Sequence, residues 1–201
     1  MNHTAVLRDG ALVRLRPIRP TDKALLRAGF ERLGPRSRYR RFLAPMPRLA
    51  DSVAAYLTDV DHHDHEAIVA LDDATGAGVG VARFVRRADR PDTAEAAVTV
   101  VDDWQGRGLG TILLDRLAER ARAEGIVRFS ALLLADNRDM LDLLEGLGPV
   151  RVVDRRQGTI EVEAELPAEG AGAELHGVMR ACARGEVAAA QRSSTPPSTT
   201  T

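Results

Sequence analysis

The chain has 201 residues, 44% hydrophobic and 3% aromatic, enough for one good-sized core and therefore one active site. Its 28 basic and 29 acidic residues nearly cancel, so overall charge offers no argument for a nucleic acid or a membrane surface as partner. The single cysteine, Cys182, excludes an internal disulfide framework and a cysteine-only metal cage, and no apolar leader follows Met1, so a soluble cytoplasmic protein is expected.

Leu12, Val13, Leu15 and Ile18 read as a strand whose end is marked by Pro17 and Pro20. Thr21 or Asp22 is a candidate N-cap for a first helix carrying Leu25, Leu26, Phe30 and Leu33, stopped by Gly34-Pro35. A second helix is expected over 36–43, and a third starts near the cap candidate Asp51 with Val53, Ala54, Leu57 and Val60. Past a histidine-rich loop at 61–65 come three strand-like runs, 67–71, 79–85 and 94–101.

A glycine-rich loop, Gln105-Gly106-Arg107-Gly108-Leu109-Gly110, follows the third run. Beyond it Ile112, Leu113, Leu117, Ala118 and Ala121 make one face of a helix that ends at Gly125. Residues 126–134 suit a strand covered on both faces, and Asn137 can cap a helix carrying Met140, Leu141, Leu144 and Leu147. A hairpin closes the pattern, 150–153 and 159–166 around Gln157-Gly158, its second strand alternating Ile160, Val162, Ala164 and Leu166 with Glu161, Glu163 and Glu165. The order β-α-α-α-β-β-β-α-β-α-β-β predicts an α/β fold, a mixed sheet of about seven strands with helices on both faces. It assigns 1–167 to one domain and leaves 168–201, rich in Ala, Gly, Ser, Thr and Pro, as a low-complexity and mostly disordered tail.

A strand, three closely spaced glycines and an amphipathic helix together make an anion site. Glycine lets the backbone approach a phosphate, and the unpaired N–H groups and helix dipole point at its charge. A Walker loop is excluded because the segment lacks lysine. A dinucleotide fingerprint fits poorly, since the third glycine comes one residue early and several elements precede the loop.

The same six residues resemble the Gln/Arg-x-x-Gly-x-Gly/Ala signature of the Gcn5-related N-acetyltransferases (GNAT), and the element order over 12–166 is similar to that fold. The stretches Leu12 to Ile18, Arg36 to Phe42, Val60 to Asp64 and Ala94-Glu95-Ala96 resemble the acetyltransferase domain of bacterial protein-lysine acetyltransferases of the Pat type. The resemblance implies acetyl-CoA as co-substrate, its pantetheine along the backbone of Val98, Thr99 and Val100. Its pyrophosphate would lie on Gln105, Gly106, Arg107, Gly108, Leu109, Gly110 and Thr111, with Asn137 a further CoA contact. An amine would be the acceptor, a protein lysine first and a small molecule as alternative, and a non-catalytic acyl-CoA sensor is the competing reading.

A lysine amine, with a pKa near ~10.4, must lose a proton before it attacks a thioester. Glu95, on the strand leading into the loop, is the candidate general base, as the resemblance also implies. A strand N–H near Val100 would stabilise the oxyanion. Many family members carry a tyrosine seven residues after this asparagine to reprotonate the CoA thiolate; Leu144 stands there instead. No metal is expected, because the neighbouring His62, His63, Asp64 and His65 would have to converge on one ion from a single loop. The arginines at 36, 38, 40, 41 and 48 read most simply as a solvated helical face, or as attraction for an acidic substrate or the CoA 3′-phosphate.

Overall fold

The structure, a computed structural model, describes residues 3–167. The sequence-based reading of 168–201, including Cys182, lies outside the described residues. Eight strands form one mixed sheet in the order β1-β2-β3-β4-β5-β6-β8-β7. The strands are β1 (His3–Val6), β2 (Leu12–Pro17), β3 (His65–Asp72), β4 (Gly78–Arg86), β5 (Thr93–Val100), β6 (Arg128–Leu134), β7 (Val150–Arg156) and β8 (Thr159–Glu165). The helices are α1 (Lys23–Glu31), α2 (Pro35–Phe42), α3 (Asp51–Thr58), α4 (Leu109–Ala123) and α5 (Arg138–Leu147).

The strand beyond the expected seven is β1. It has four residues and no buried side chain, so no hydrophobic pattern announces it. It exists because β2 offers an open antiparallel edge, on which Ala5 pairs with Val13 and Val6 with Leu12. The other elements fall within a few residues of the positions expected from periodicity.

Helix α4 buries Leu109, Leu113, Leu114, Leu117, Ala118 and Ala121 against one face of the central strands. Close approach there requires Gly80: a Cβ at that position would sit 2.9 Å from Leu113 Cδ1 and 3.3 Å from Leu109 Cδ2. Helix α5 packs beside α4 through Met140, Leu144 and Leu147, and α1 to α3 cover the opposite face. Phe84 of β4 and Phe129 of β6, with ring centroids 6.2 Å apart, tie the two halves of the sheet together.

Of the expected caps, Asp22 works differently. It flanks α1, but its carboxylate accepts from Arg19 N–H at 2.8 Å and from Arg16 at 2.6 and 2.8 Å. Asp51 is the first helical residue of α3 and makes no capping bond.

Candidate active site

The sheet forks at Glu95. Strand β5 pairs with β4 along its whole length, but with β6 only through Thr93–Arg128, Ala94–Phe129 and Glu95–Ser130. Beyond that point β6 is paired with β8 out to Leu134, and the edge of β5 from Ala96 to Val100 is open. The N–H of Val101 reaches Val79 O at 3.1 Å on the β4 side. Strand alternation then turns the backbone groups of Thr99 toward β4 and those of Val98 and Val100 toward the opening. An extended ligand can add there as a strand would.

The loop closes one end of the opening. After a 3-10 turn at Asp102–Trp104, Gly106 and Gly108 take φ of +74° and +88°. These values lie in the left-handed region that glycine occupies without cost. Gly108 is the N-cap of α4 and makes no side-chain cap bond, and the first intrahelical bond is Ile112 N–H to Gly108 O at 3.2 Å. The N–H groups of Leu109, Gly110 and Thr111 therefore open the helix with no carbonyl behind them inside it. Gln105 Nε2 donates to Val100 O at 2.9 Å, locking the loop to the strand.

Arg107 stacks over Trp104 at 4.9 Å, bonds Asp103 O at 2.6 Å and pairs with Asp9 at 3.0 Å. Arg8 was not singled out in the sequence. Its N–H bonds Arg107 O at 3.2 Å, and its side chain passes beside Gly108. The β1–β2 turn that brings it there leaves no signal in the local sequence.

At the fork, Glu95 points an exposed carboxylate to the face covered by α1 to α3, near enough to Arg41 for their charges to interact. Such a carboxylate can take a proton directly or through water. Asn137 is the N-cap of α5 as expected, but its side chain makes no capping bond. Leu144 is fully buried in the core, and no proton donor comes from this position.

The histidines do not converge. His62 bonds Glu66 at 2.7 Å, His63 bonds Glu124, and His65 accepts from Arg83 at 2.9 Å. No group of three potential metal ligands comes together among the described residues. Burial, with the charge of Arg83 behind it, holds the His65 pKa below its ordinary value, so the imidazole is a neutral acceptor.

Of the five arginines only Arg36 and Arg48 are exposed as a solvated face would have them; Arg38, Arg40 and Arg41 are half-buried. Arg38 lies 4.3 Å over the Phe30 ring and donates to Leu33 O at 2.8 Å, while Arg40 pairs with Asp139 of α5 at 2.6 Å. Arg41 turns inward, into a pocket under α1 and α2 that is also lined by Leu25, Phe30, Thr99 and Arg83. These charges are drawn in because α2 packs against β5 and α5, a long-range approach that local sequence does not encode.

A forked α/β sheet with an open strand edge, a glycine loop at its end and a carboxylate at the fork is an arrangement with room for an extended, anion-ended ligand. Residues 28–148 match the Acetyltransferase (GNAT) family. Acetyltransferase Pat of Mycolicibacterium smegmatis is 35% identical over 161 residues, covering 80% of this chain and 48% of that protein, so the chain spans about half the length of this relative. Acetyltransferase PA5475 of Pseudomonas aeruginosa is 35% identical over 144 residues, 71% of this chain and 77% of that protein. The solved GNAT domain of S. lividans PAT superposes with a TM-score of 0.76 at 32% identity, covering 82% of this chain and 97% of that one. The chain belongs to the acetyltransferase (GNAT) family, a family of acyltransferases.

Proposed function

We propose that the protein transfers the acetyl group of acetyl-CoA to an amine by direct attack, with Glu95 as general base. The observation that carries this reading is the fork: an open β5 edge, the amide-lined start of α4 and the Glu95 carboxylate meet around one opening. The pantetheine adds to the edge at Val98 and Val100. The pyrophosphate rests on the N–H groups of residues 106–111 with the positive side chains of Arg8 and Arg107 nearby. The side chain of Asn137, which makes no capping bond, is available to contact the CoA from the start of α5.

Glu95 takes the amine proton, the nitrogen attacks the thioester carbon, and the oxyanion is met by a β5 N–H at the opening, Val98 or Val100. Collapse of the intermediate expels the CoA thiolate. With Leu144 buried it leaves without a tyrosine acid, as an ordinary thiol pKa of about 8.5 allows. No metal is called for. The single cysteine of the chain fits a reducing cytoplasm. Among the described residues no helix is long and apolar enough to cross a membrane.

The Pat-type resemblance supports a protein lysine as acceptor. A small amine is the second reading, favoured by the pocket into which Arg41 and Arg83 turn. CoA release measured with lysine peptides and a panel of small amines, for wild type and Glu95→Gln, tests the proposal. Turnover that falls sharply in the variant is expected. Tight acetyl-CoA binding with no acceptor acetylated would instead identify an acyl-CoA sensor.

A further inference from the structure

The pocket under α1 and α2 holds charge that acetyl transfer does not use. Its wall is largely apolar, with Leu25, Leu26, Phe30 and Val81, yet Arg41 enters it from α2 and Arg83 from β4. Arg83 is 6% exposed. Its two terminal nitrogens donate to His65 Nε2 at 2.9 Å and to Leu57 O at 2.6 Å, both neutral acceptors. Arg41 stacks over Phe42 at 5.1 Å. Among the described residues neither arginine forms an ion pair with a carboxylate, and the two repel each other. Burial first, and Arg41 second, push the Arg83 pKa down to about 10.

The other fully buried charged side chains among the described residues are matched. Glu163 has Arg90 and Arg151, at 2.5 and 2.6 Å, Asp22 has Arg16 at 2.6 Å, and Glu66 has Arg120 at 3.2 Å. Among the described residues Arg41 feels the Glu95 charge without an ion pair and Arg83 has no carboxylate partner. A desolvated guanidinium without a paired anion is costly, so two of them lining one pocket mark where a ligand's anion belongs. The position of that anion relative to the base follows from the sheet. Arg83 is opposite Ala97 and Val85 opposite Glu95, so Arg83 and Glu95 share one face. They are offset by two residues, about 7 Å along the strand. Arg41 is close enough to interact with both charges.

We propose that the acceptor is a small amine bearing its own carboxylate or similar oxyanion a few bonds from the nitrogen, as an amino acid does. Arg41 and Arg83 bind the anion while Glu95 receives the ammonium proton. The assignment rests on the acetyl-transfer reading and selects its small-molecule form over a protein lysine. The neutral His65 is a positioning residue, aiming Arg83 through Nε2.

The test is CoA release from acetyl-CoA with α-, β- and γ-amino acids, each beside its carboxamide, for wild type, Arg41→Gln, Arg83→Gln and Arg83→Lys. The wild type should favour at least one acid over its amide by about tenfold or more in kcat/KM. That ratio should fall toward one in Arg41→Gln, a change at a half-buried site whose fold circular dichroism should show intact, and be partly retained in Arg83→Lys. Equal rates for every acid and amide overturn the inference, as does a preference that survives in both glutamine variants. A preference for succinyl-CoA over acetyl-CoA with a neutral amine overturns it too, by moving the anion to the acyl group. Calorimetric binding of the amino acids separates the two levels. Binding that Arg41→Gln abolishes, without turnover, sinks acetyl transfer and leaves the anion site standing; neither binding nor turnover sinks the anion site.

Discussion

The side-chain amide of Gln105 donates to the main-chain carbonyl of Val100 at 2.9 Å, joining the glycine loop to the open strand edge. The same nitrogen lies 3.2 Å from Asp102 Oδ1. Removing it in Gln105→Ala forfeits about 0.5–1.5 kcal/mol of loop order, which should raise the KM for acetyl-CoA roughly twofold to tenfold with little change in kcat. Gln105→Glu should be worse, because a carboxylate would face two acceptors. Steady-state kinetics with varied acetyl-CoA decides between these outcomes.

Gly108 has φ of +88°, and a Cβ there would meet Arg8 Nε at 3.4 Å. A branched residue in the left-handed region costs roughly 1–2 kcal/mol, so Gly108→Val should weaken acetyl-CoA binding by about tenfold or more. Gly146 is the control. It lies inside α5, a Cβ there meets nothing within 4 Å, and Gly146→Ala should stabilise the fold by about 0.5–1 kcal/mol. Binding isotherms and urea denaturation of both variants report these effects.

Glu95→Gln keeps the shape of the fork and removes its base. We expect kcat/KM for the amine to fall by about 10²–10⁴, while the Kd for acetyl-CoA holds. The deficit should shrink as pH rises toward the amine pKa, where the acceptor loses its proton without help. A deficit independent of pH would point to positioning and not to proton transfer.

Leu144 stands at 0% exposure between α5 and the sheet. Restoring the family's tyrosine there overpacks the core, so Leu144→Tyr should lose about 1–3 kcal/mol and melt several degrees lower. Faster turnover in that variant would show instead that the site opens to the thiolate.

His65 has its pKa held below 6.5, first by burial and then by Arg83. As pH falls below about 6.5, the unfolded chain takes up this proton before the folded one does, so stability declines from there down through the lower folded pKa. Protonation also converts Nε2 from acceptor to donor against Arg83. Urea denaturation between about pH 7.5 and 5.5 should show less dependence on pH in His65→Phe than in wild type.

Where a feature follows from local chemistry, it was legible in the chain. Leu25, Leu26, Phe30 and Leu33 recur at helical spacing and form or flank α1, and the Gln157-Gly158 turn with its alternating flank makes the β7–β8 hairpin. The glycines at 106 and 108 gave away a positive-φ loop ahead of a helix. Glu163 did not yield to the same logic. It sits on the polar side of the β8 alternation and yet is 1% exposed, because Arg90 and Arg151 close over it.

The sequence by itself determined the order of elements from β2 to β8 and the glycine loop, because side-chain periodicity and backbone freedom act within a few residues, and its motifs carried the resemblance to the family. Only the tertiary structure decided that β5 and β6 part company at Glu95, that β1 exists, and that the Asn137 side chain makes no capping bond. It also decided that two of many arginines, Arg41 and Arg83, turn into one pocket without a carboxylate. Strand divergence and charge burial depend on segments that approach across the whole chain, and no local pattern carries that information.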